Sequence, residues 1–204
     1  MMQKVINKPH KIIVIGLTGS IGMGKSTISS QLARLGGAVC DSDAIVHKLL
    51  ACDGEAFAKV KNAFPQAIEN NQINRKVLGK IVFSDKQKLK ILESILHPLV
   101  EKHQEIAISN AATAKKKFIV LDIPLLFEAG REQICDYTIV VSAPKFLQRQ
   151  RVLKRANMTK EKFENILLHQ MPDLQKRRLA DFVILSGLGK HHSLKQLKRV
   201  ISRL

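Results

Sequence analysis

The amino-acid sequence predicts a three-layer α/β fold: a five-stranded parallel sheet, an inserted helical region and a helical lid. Three observations carry that expectation. Between Lys11 and Thr27 an apolar, β-branched run breaks into a glycine-rich turn and then into a helix-forming segment. Further short apolar runs alternate with helical patterns, which is how parallel sheets are built. Between the second and third of these runs, residues 44–112 carry helical patterns without strand signals, too long for a simple crossover.

The first strand is expected over Ile12 to Ile15. After it, Gly19-Ser20-Ile21-Gly22-Met23-Gly24-Lys25-Ser26 fits G-x-x-x-x-G-K-[ST], followed by Thr27. Glycines let the backbone wind around a polyphosphate with its N–H groups turned inward, and a helix starting near Gly24 adds a positive N-terminal end. Lys25 is placed to reach β and γ phosphates, and the Ser26 hydroxyl to complete a Mg²⁺ shell. The core therefore reads as a phosphate-loop NTPase core.

A helix over Ser26 to Leu35 places Ile28, Leu32 and Leu35 on one side and stops at Gly36-Gly37. The strand Ala38 to Cys40 then delivers Asp41-Ser42-Asp43 at its carboxyl end, the edge where parallel α/β sheets bind ligands. One aspartate can cap the next helix while the other does chemistry. Helices are expected over 44–50, 55–64, 75–83 and 87–109, with breaks at Cys52-Asp53-Gly54, Phe64-Pro65 and Asn70-Asn71. Pro98 would kink the last of these or start a second one. His97 beside it is a candidate site residue or a hydrogen-bonded structural histidine.

Lys117 to Asp122 is the next strand, ending in an acidic group that suits a Mg²⁺ shell, and Pro124-Leu125-Leu-Phe-Glu128 follows. Asp122 or Glu128 could serve the metal or orient water, while Glu128 could equally cap a surface helix. Tyr137 to Val141 makes a buried strand, and Ala143-Pro144 starts a helix carrying Gln148, Arg149, Arg151, Lys154 and Arg155. Gln148, Arg151 and Arg155 fall on one helical face, and arginine forks suit a lid over a polyphosphate. Ala180 to Ile184 is the fifth strand, and Ser193 to Leu204 a closing amphipathic helix. The expected organisation is a single domain: a core of about 1–43 and 114–204, a substrate-binding insertion of about 44–113 and a lid of about 148–165.

A chain of 204 residues with 45% hydrophobic and 25% charged residues is ordinary for a soluble globular domain. Lys4, Lys8 and Lys11 ahead of IIVIGL mimic a signal peptide, but the apolar run is short and leads straight into the loop, so a cytoplasmic protein is expected. Cys40, Cys52 and Cys135 form no C-x-x-C pair and read as reduced thiols, with Cys40 a small buried residue at a strand end. The net charge of +17 attracts polyanions. The lysines are scattered, though, with short runs at Lys115-Lys116-Lys117 and Lys176-Arg177-Arg178. Base-stacking aromatics are few, with one Tyr and no Trp. The charge reads mostly as a solvated surface, and neither a specific nucleic acid nor a membrane is expected as partner.

In this order and spacing the segments resemble one family, dephospho-CoA kinase. The resemblance rests on GLTGSIGMGKST, Asp41-Ser-Asp43 where the family has Asp-Ala-Asp, Arg75-x-x-Leu78 with Phe83, and Leu96-His97-Pro98. It continues through Pro124-Leu-Leu-Phe-Glu128, Gln148-x-x-Arg151-x-x-x-Arg155 with Thr159, Gln170 and Ala180-Asp181. It implies MgATP-dependent phosphorylation of the ribose 3′-hydroxyl of dephospho-CoA, with ATP and Mg²⁺ as cofactors and the oligomeric state open. It also implies Asp43 as general base or hydroxyl-orienting group, Asp41 as a supporting carboxylate, and Arg151 and Arg155 as lid arginines. The acceptor-binding set that the resemblance implies is Asp43, Arg75, His97 and Leu125. The chain departs from the family at Ser20, where a glycine is usual. It departs again at Leu185-Ser-Gly-Leu-Gly189, where an asparagine-containing turn near the adenine is common. A nucleoside monophosphate kinase would carry Asp-Gly-Phe-Pro-Arg and a switch GTPase Asn-Lys-x-Asp, and the chain has neither. A nucleic-acid-binding phosphate-loop ATPase is the reading that the charge alone would suggest.

Overall fold

A computed structural model describes residues 12–204; the charges at Lys4, Lys8 and Lys11 lie outside the described residues. Two compact units result, one of residues 12–40 with 108–204 and one of residues 41–107.

The first unit carries strands β1 (Ile13–Thr18), β2 (Ala38–Asp41), β5 (Phe118–Asp122), β6 (Tyr137–Ser142) and β7 (Phe182–Leu185), in the order β2-β5-β1-β6-β7. β1 pairs in parallel with β5 and β6, and β6 with β7. Central strands buried on both faces read as continuous apolar runs, which is why β5 and β6 are legible. β1 runs longer than the expected Ile12 to Ile15, through Gly16 to Thr18. A side chain at Gly16 would meet the Cys135 sulfur at 2.7 Å, so the bare backbone lets the neighbouring segment close on the sheet. On the opposite face α1 (Lys25–Arg34) packs with α9 (Lys190–Ile201), earlier than the expected start at Ser193. Ile28, Leu32, Leu197 and Val200 fill that layer with Ile15, Leu17, Val120, Ile139 and Val141. The buried Gln31 amide spans the two helices, donating to the Lys190 carbonyl at 2.8 Å and accepting from the Ser193 hydroxyl at 3.1 Å.

The expected lid segment consists of α6 (Lys145–Leu153), a turn, and α7 (Lys160–Leu168), whose Thr159 cap accepts from the Lys162 N–H at 3.2 Å. α6 stops before Arg155, so the expectation that Arg155 shares a helical face with Gln148 and Arg151 is corrected: Lys154 is the C-cap, and Asn157 turns the chain at φ 60°. A short helix unmarked in the sequence reading, α8 (Asp173–Leu179), follows.

The second unit comprises α2 (Ser42–Leu49), α3 (Phe57–Ala63), a hairpin of β3 (Ile68–Glu69) and β4 (Gln72–Ile73), α4 (Arg75–Phe83) and most of α5 (Lys86–Thr113). The hairpin corrects the expectation of an all-helical insertion. Asn70 and Asn71 adopt φ 48° and 57°, the left-handed pair a two-residue hairpin turn needs and asparagine tolerates. α5 is one helix across Pro98. An interior proline costs about 3 kcal/mol. Burial of Leu96, with Leu92, Ile95, Leu99 and Val100 packed around the Val60, Phe64, Leu78 and Val82 core, offsets it.

Glu55 ties the start of α3 to α5, accepting from Lys102 at 2.9 Å and lying 2.8 Å from His103 Nε2. Hydrogen bonds from Lys102 and His103 hold its carboxyl below the usual glutamate range. Because the folded value is lowered, the stability it contributes is complete above about pH 4.3, the unfolded value, and is lost as pH falls through the folded one. Thermal melts between pH 3 and 6 should therefore show a smaller acid-side slope in Glu55→Gln; an unchanged slope would refute the assignment.

Candidate active site

The glycine-rich loop leaves the carboxyl end of β1 at the centre of the sheet. Gly22 and Gly24 take φ 78° and 92°, conformations that side chains resist. Ser20 is not among the residues with positive φ, so the non-glycine residue fits its backbone there. α1 opens on Lys25 with Gly24 as N-cap, no capping side chain and no acidic residue in its first turn, so no side chain offsets the positive end of the helix. Ser26 is exposed in that turn.

Lys25 forms an ion pair with Asp122, the last residue of β5, whose register partner Leu17 lies two residues before the loop. Asp122 is 5% exposed, so the pair sits in a setting where charges interact strongly.

Side chains far off in sequence fix the loop's shape. The buried Gln148 amide donates to the Ile21 carbonyl at 2.9 Å, and Gln170 Oε1 accepts from the Ile21 N–H at 3.0 Å. Arg151 donates to the Gly22 carbonyl at 3.5 Å, and to Ser186 Oγ and the Ser186 carbonyl at 3.0 Å each. The Ser186 hydroxyl in turn donates to the Met23 carbonyl at 2.5 Å. The departure at Leu185–Gly189 thus supplies a serine that joins Arg151 to the loop, a role unread in the sequence.

In the run Lys176-Arg177-Arg178, read as solvated charge, Arg177 and Arg178 are exposed but Lys176 is not. It is wholly buried, and its ammonium donates to Glu128 Oε1 at 2.9 Å and to the Pro124 carbonyl at 3.0 Å. Burial pushes it below the usual lysine range, and Glu128 opposes that shift. Glu128 also accepts from the Met171 N–H at 2.7 Å, two residues before α8. A proline followed by an aspartate, Pro172-Asp173, was the available signal for α8.

In the helical unit, Asp41 caps α2, accepting from the Ala44 N–H at 3.1 Å. Asp43 is exposed one residue into the same helix. Asp43, His47 and Arg75 line a pocket of about 330 Å³ whose other walls are apolar, among them Val46, Leu78, Phe83 and Leu92. The pocket brings together two of the expected acceptor residues. His97 is exposed on α5 and is not among the pocket's lining residues, and in the sheet-bearing unit Leu125 and Arg155 are also exposed. Cys40 and Cys135 are buried and Cys52 is exposed.

A family model described as dephospho-CoA kinase matches residues 13–189. Two relatives of that name, from Paramagnetospirillum magneticum and Agrobacterium fabrum, are 50% and 45% identical to this chain. The alignments cover 94% and 95% of this chain and 90% and 98% of theirs. Among solved structures, the TT1252 protein of Thermus thermophilus superposes with a TM-score of 0.85 at 34% identity, over 95% of this chain and 98% of its own. Dephospho-CoA kinase from Campylobacter jejuni superposes with a TM-score of 0.60 at 28% identity, over 93% and 96%.

Proposed function

The chain belongs to the dephospho-CoA kinase family, and from that premise we propose how its residues perform the family's reaction. It is an ATP-dependent kinase that transfers the γ-phosphate of ATP to the ribose 3′-hydroxyl of dephospho-CoA, giving CoA and ADP, the last step of coenzyme A synthesis. Phosphoryl transfer asks little covalent chemistry of a protein, so the residues act by in-line positioning and by the field they set up.

The observation that carries the mechanism is Lys25, the first residue of α1, paired with Asp122 directly after a glycine-rich loop. Lys25 binds the β and γ phosphates as a point charge, and the N-terminal end of α1 adds its positive partial charge. Ser26 and Asp122 offer a hydroxyl and a carboxylate, hard oxygen donors of the kind Mg²⁺ takes. No cluster of three or more His, Cys, Asp or Glu side chains suited to a metal occurs among the described residues. An ion at Ser26 and Asp122 would therefore complete its shell from phosphate oxygens and water, as Mg²⁺ commonly does. Bound there, it would neutralise charge on the β and γ oxygens.

Asp43 accepts the hydroxyl proton, and Asp41 acts mainly by holding the helix that presents it. Arg75, in the same pocket as Asp43, pairs with a phosphate of the acceptor, to which its planar fork is matched. Arg151 and Arg155 neutralise charge on the transferred group, Arg151 from a position already fixed by Ser186 and Gly22. His97 and Leu125 complete the acceptor-binding set. No helix among the described residues is long and apolar enough to cross a membrane. Cysteines outside any disulfide suit a reducing compartment, and we place the enzyme in the cytoplasm.

Coupled ADP release tests this reading with dephospho-CoA, AMP, CMP and shikimate as acceptors. Dephospho-CoA alone should stimulate turnover. Stimulation by another acceptor, with none by dephospho-CoA, would overturn it.

A further inference from the structure

Residues 170–176 touch the loop and its flanking segments at several points. Gln170 holds the Ile21 N–H, and the Met171 N–H reaches Glu128. Asp173 Oδ2 accepts from the Ser142 hydroxyl at 2.8 Å, at the end of β6. Lys176 closes the strap by donating to both Glu128 and the Pro124 carbonyl. That carbonyl has a second donor, the Thr18 hydroxyl at 2.9 Å. Thr18 directly precedes Gly19, and Pro124 lies two residues beyond Asp122. One carbonyl oxygen therefore joins the end of β1, where the loop begins, to the end of β5, where Lys25 finds its carboxylate.

Packing does not account for a charge at this place. A wholly buried ammonium loses its hydration, and an apolar side chain of similar length would fill the volume without that loss. What a methionine could not do is hold the Pro124 carbonyl and the Glu128 carboxylate at once. We propose that Lys176 is a positioning residue for phosphoryl transfer, the buried pin that fixes the Thr18–Pro124 junction and through it the placement of Lys25 beside Asp122. It touches neither substrate, and it rests on the loop being the nucleotide site. Reactions governed by positioning are sensitive to such support, because a displacement of about 1 Å can cost about 100-fold in rate.

The test must separate positioning from stability, since Lys176→Met alone leaves the Glu128 carboxylate without its cation. The informative variant is Lys176→Met/Glu128→Gln, which removes both charges, studied beside Thr18→Val, which removes the other bond to the Pro124 carbonyl. Melting temperature and steady-state kinetics with dephospho-CoA are measured for both and for the wild type. The double variant should melt within a few degrees of the wild type. Its kcat should fall about tenfold or more, with the KM for dephospho-CoA within about twofold. Thr18→Val should lower kcat in the same way but less. Wild-type turnover in the same assay reports on the reaction itself, so a flat response across the variants counts against Lys176 alone. A folded double variant with wild-type kcat, or a loss confined to KM, would overturn the proposal.

Discussion

Lys25→Ala is expected to lower kcat for dephospho-CoA by roughly 10²–10³-fold, the range for removing one preorganised charge from a transferring group. Two effects are joined in that variant. The ammonium that follows the γ-phosphate into the transition state is gone, which acts on kcat more than on ground-state binding of ATP. Asp122, 5% exposed at the end of β5, also loses a cation, which should lower the melting temperature. Losing a charged partner at a buried group costs about 1–3 kcal/mol, less here because the Lys25 side chain keeps 19% of its surface in solvent. The companion variant Lys25→Ala/Asp122→Asn should regain melting temperature while remaining inactive. Recovery of activity along with stability would show that Lys25 serves the fold and not the phosphate. The single variant should weaken the enzyme towards every acceptor, since nothing in its surroundings reads the acceptor.

The parts of this site legible in the sequence are those whose geometry is local. The loop's glycine spacing is set by its own backbone, so Gly22 and Gly24 could be read directly, whereas Ser20 could be judged acceptable only once its φ was known. The buried strands were legible because both of their faces are covered. Lys176 was not, because its burial depends on partners far away in sequence: the Pro124 carbonyl it holds is 52 positions distant. A Lys-Arg-Arg run on a short helix looks the same whether one lysine points outward or beneath the sheet. Ser186 was hidden for a related reason, since a departure from a familiar pattern reads as a loss until its hydrogen bonds to Arg151 and Met23 are seen. The hairpin at Asn70-Asn71 escaped because two-residue strands carry no alternation, although the asparagine pair was noted as a break.

Asp43→Asn is expected to slow turnover by about 10²–10⁴-fold, the usual contribution of a positioned general base, with melting temperature and the KM for ATP nearly unchanged. The expectation follows from how α2 divides the work of its two aspartates. Asp41 is committed to the backbone: its carboxylate satisfies the Ala44 N–H, and Asp41→Ala should cost about 1 kcal/mol of stability. Asp43 is exposed, lines the pocket that holds Arg75, and makes no hydrogen bond among those described that asparagine would forfeit. The amide keeps the shape and one acceptor oxygen but accepts no proton at working pH. The two variants should therefore separate cleanly, Asp41→Ala shifting the melt with kcat within a few-fold of wild type and Asp43→Asn doing the reverse. If Asp41→Ala were instead the inactive one at full stability, the proton would belong to Asp41 and the cap would be incidental. If both retained turnover, neither carboxylate would take the proton. Solvent isotope effects on kcat sharpen the distinction, because a step in which Asp43 draws off the hydroxyl proton should lose its isotope sensitivity once that carboxylate is an amide.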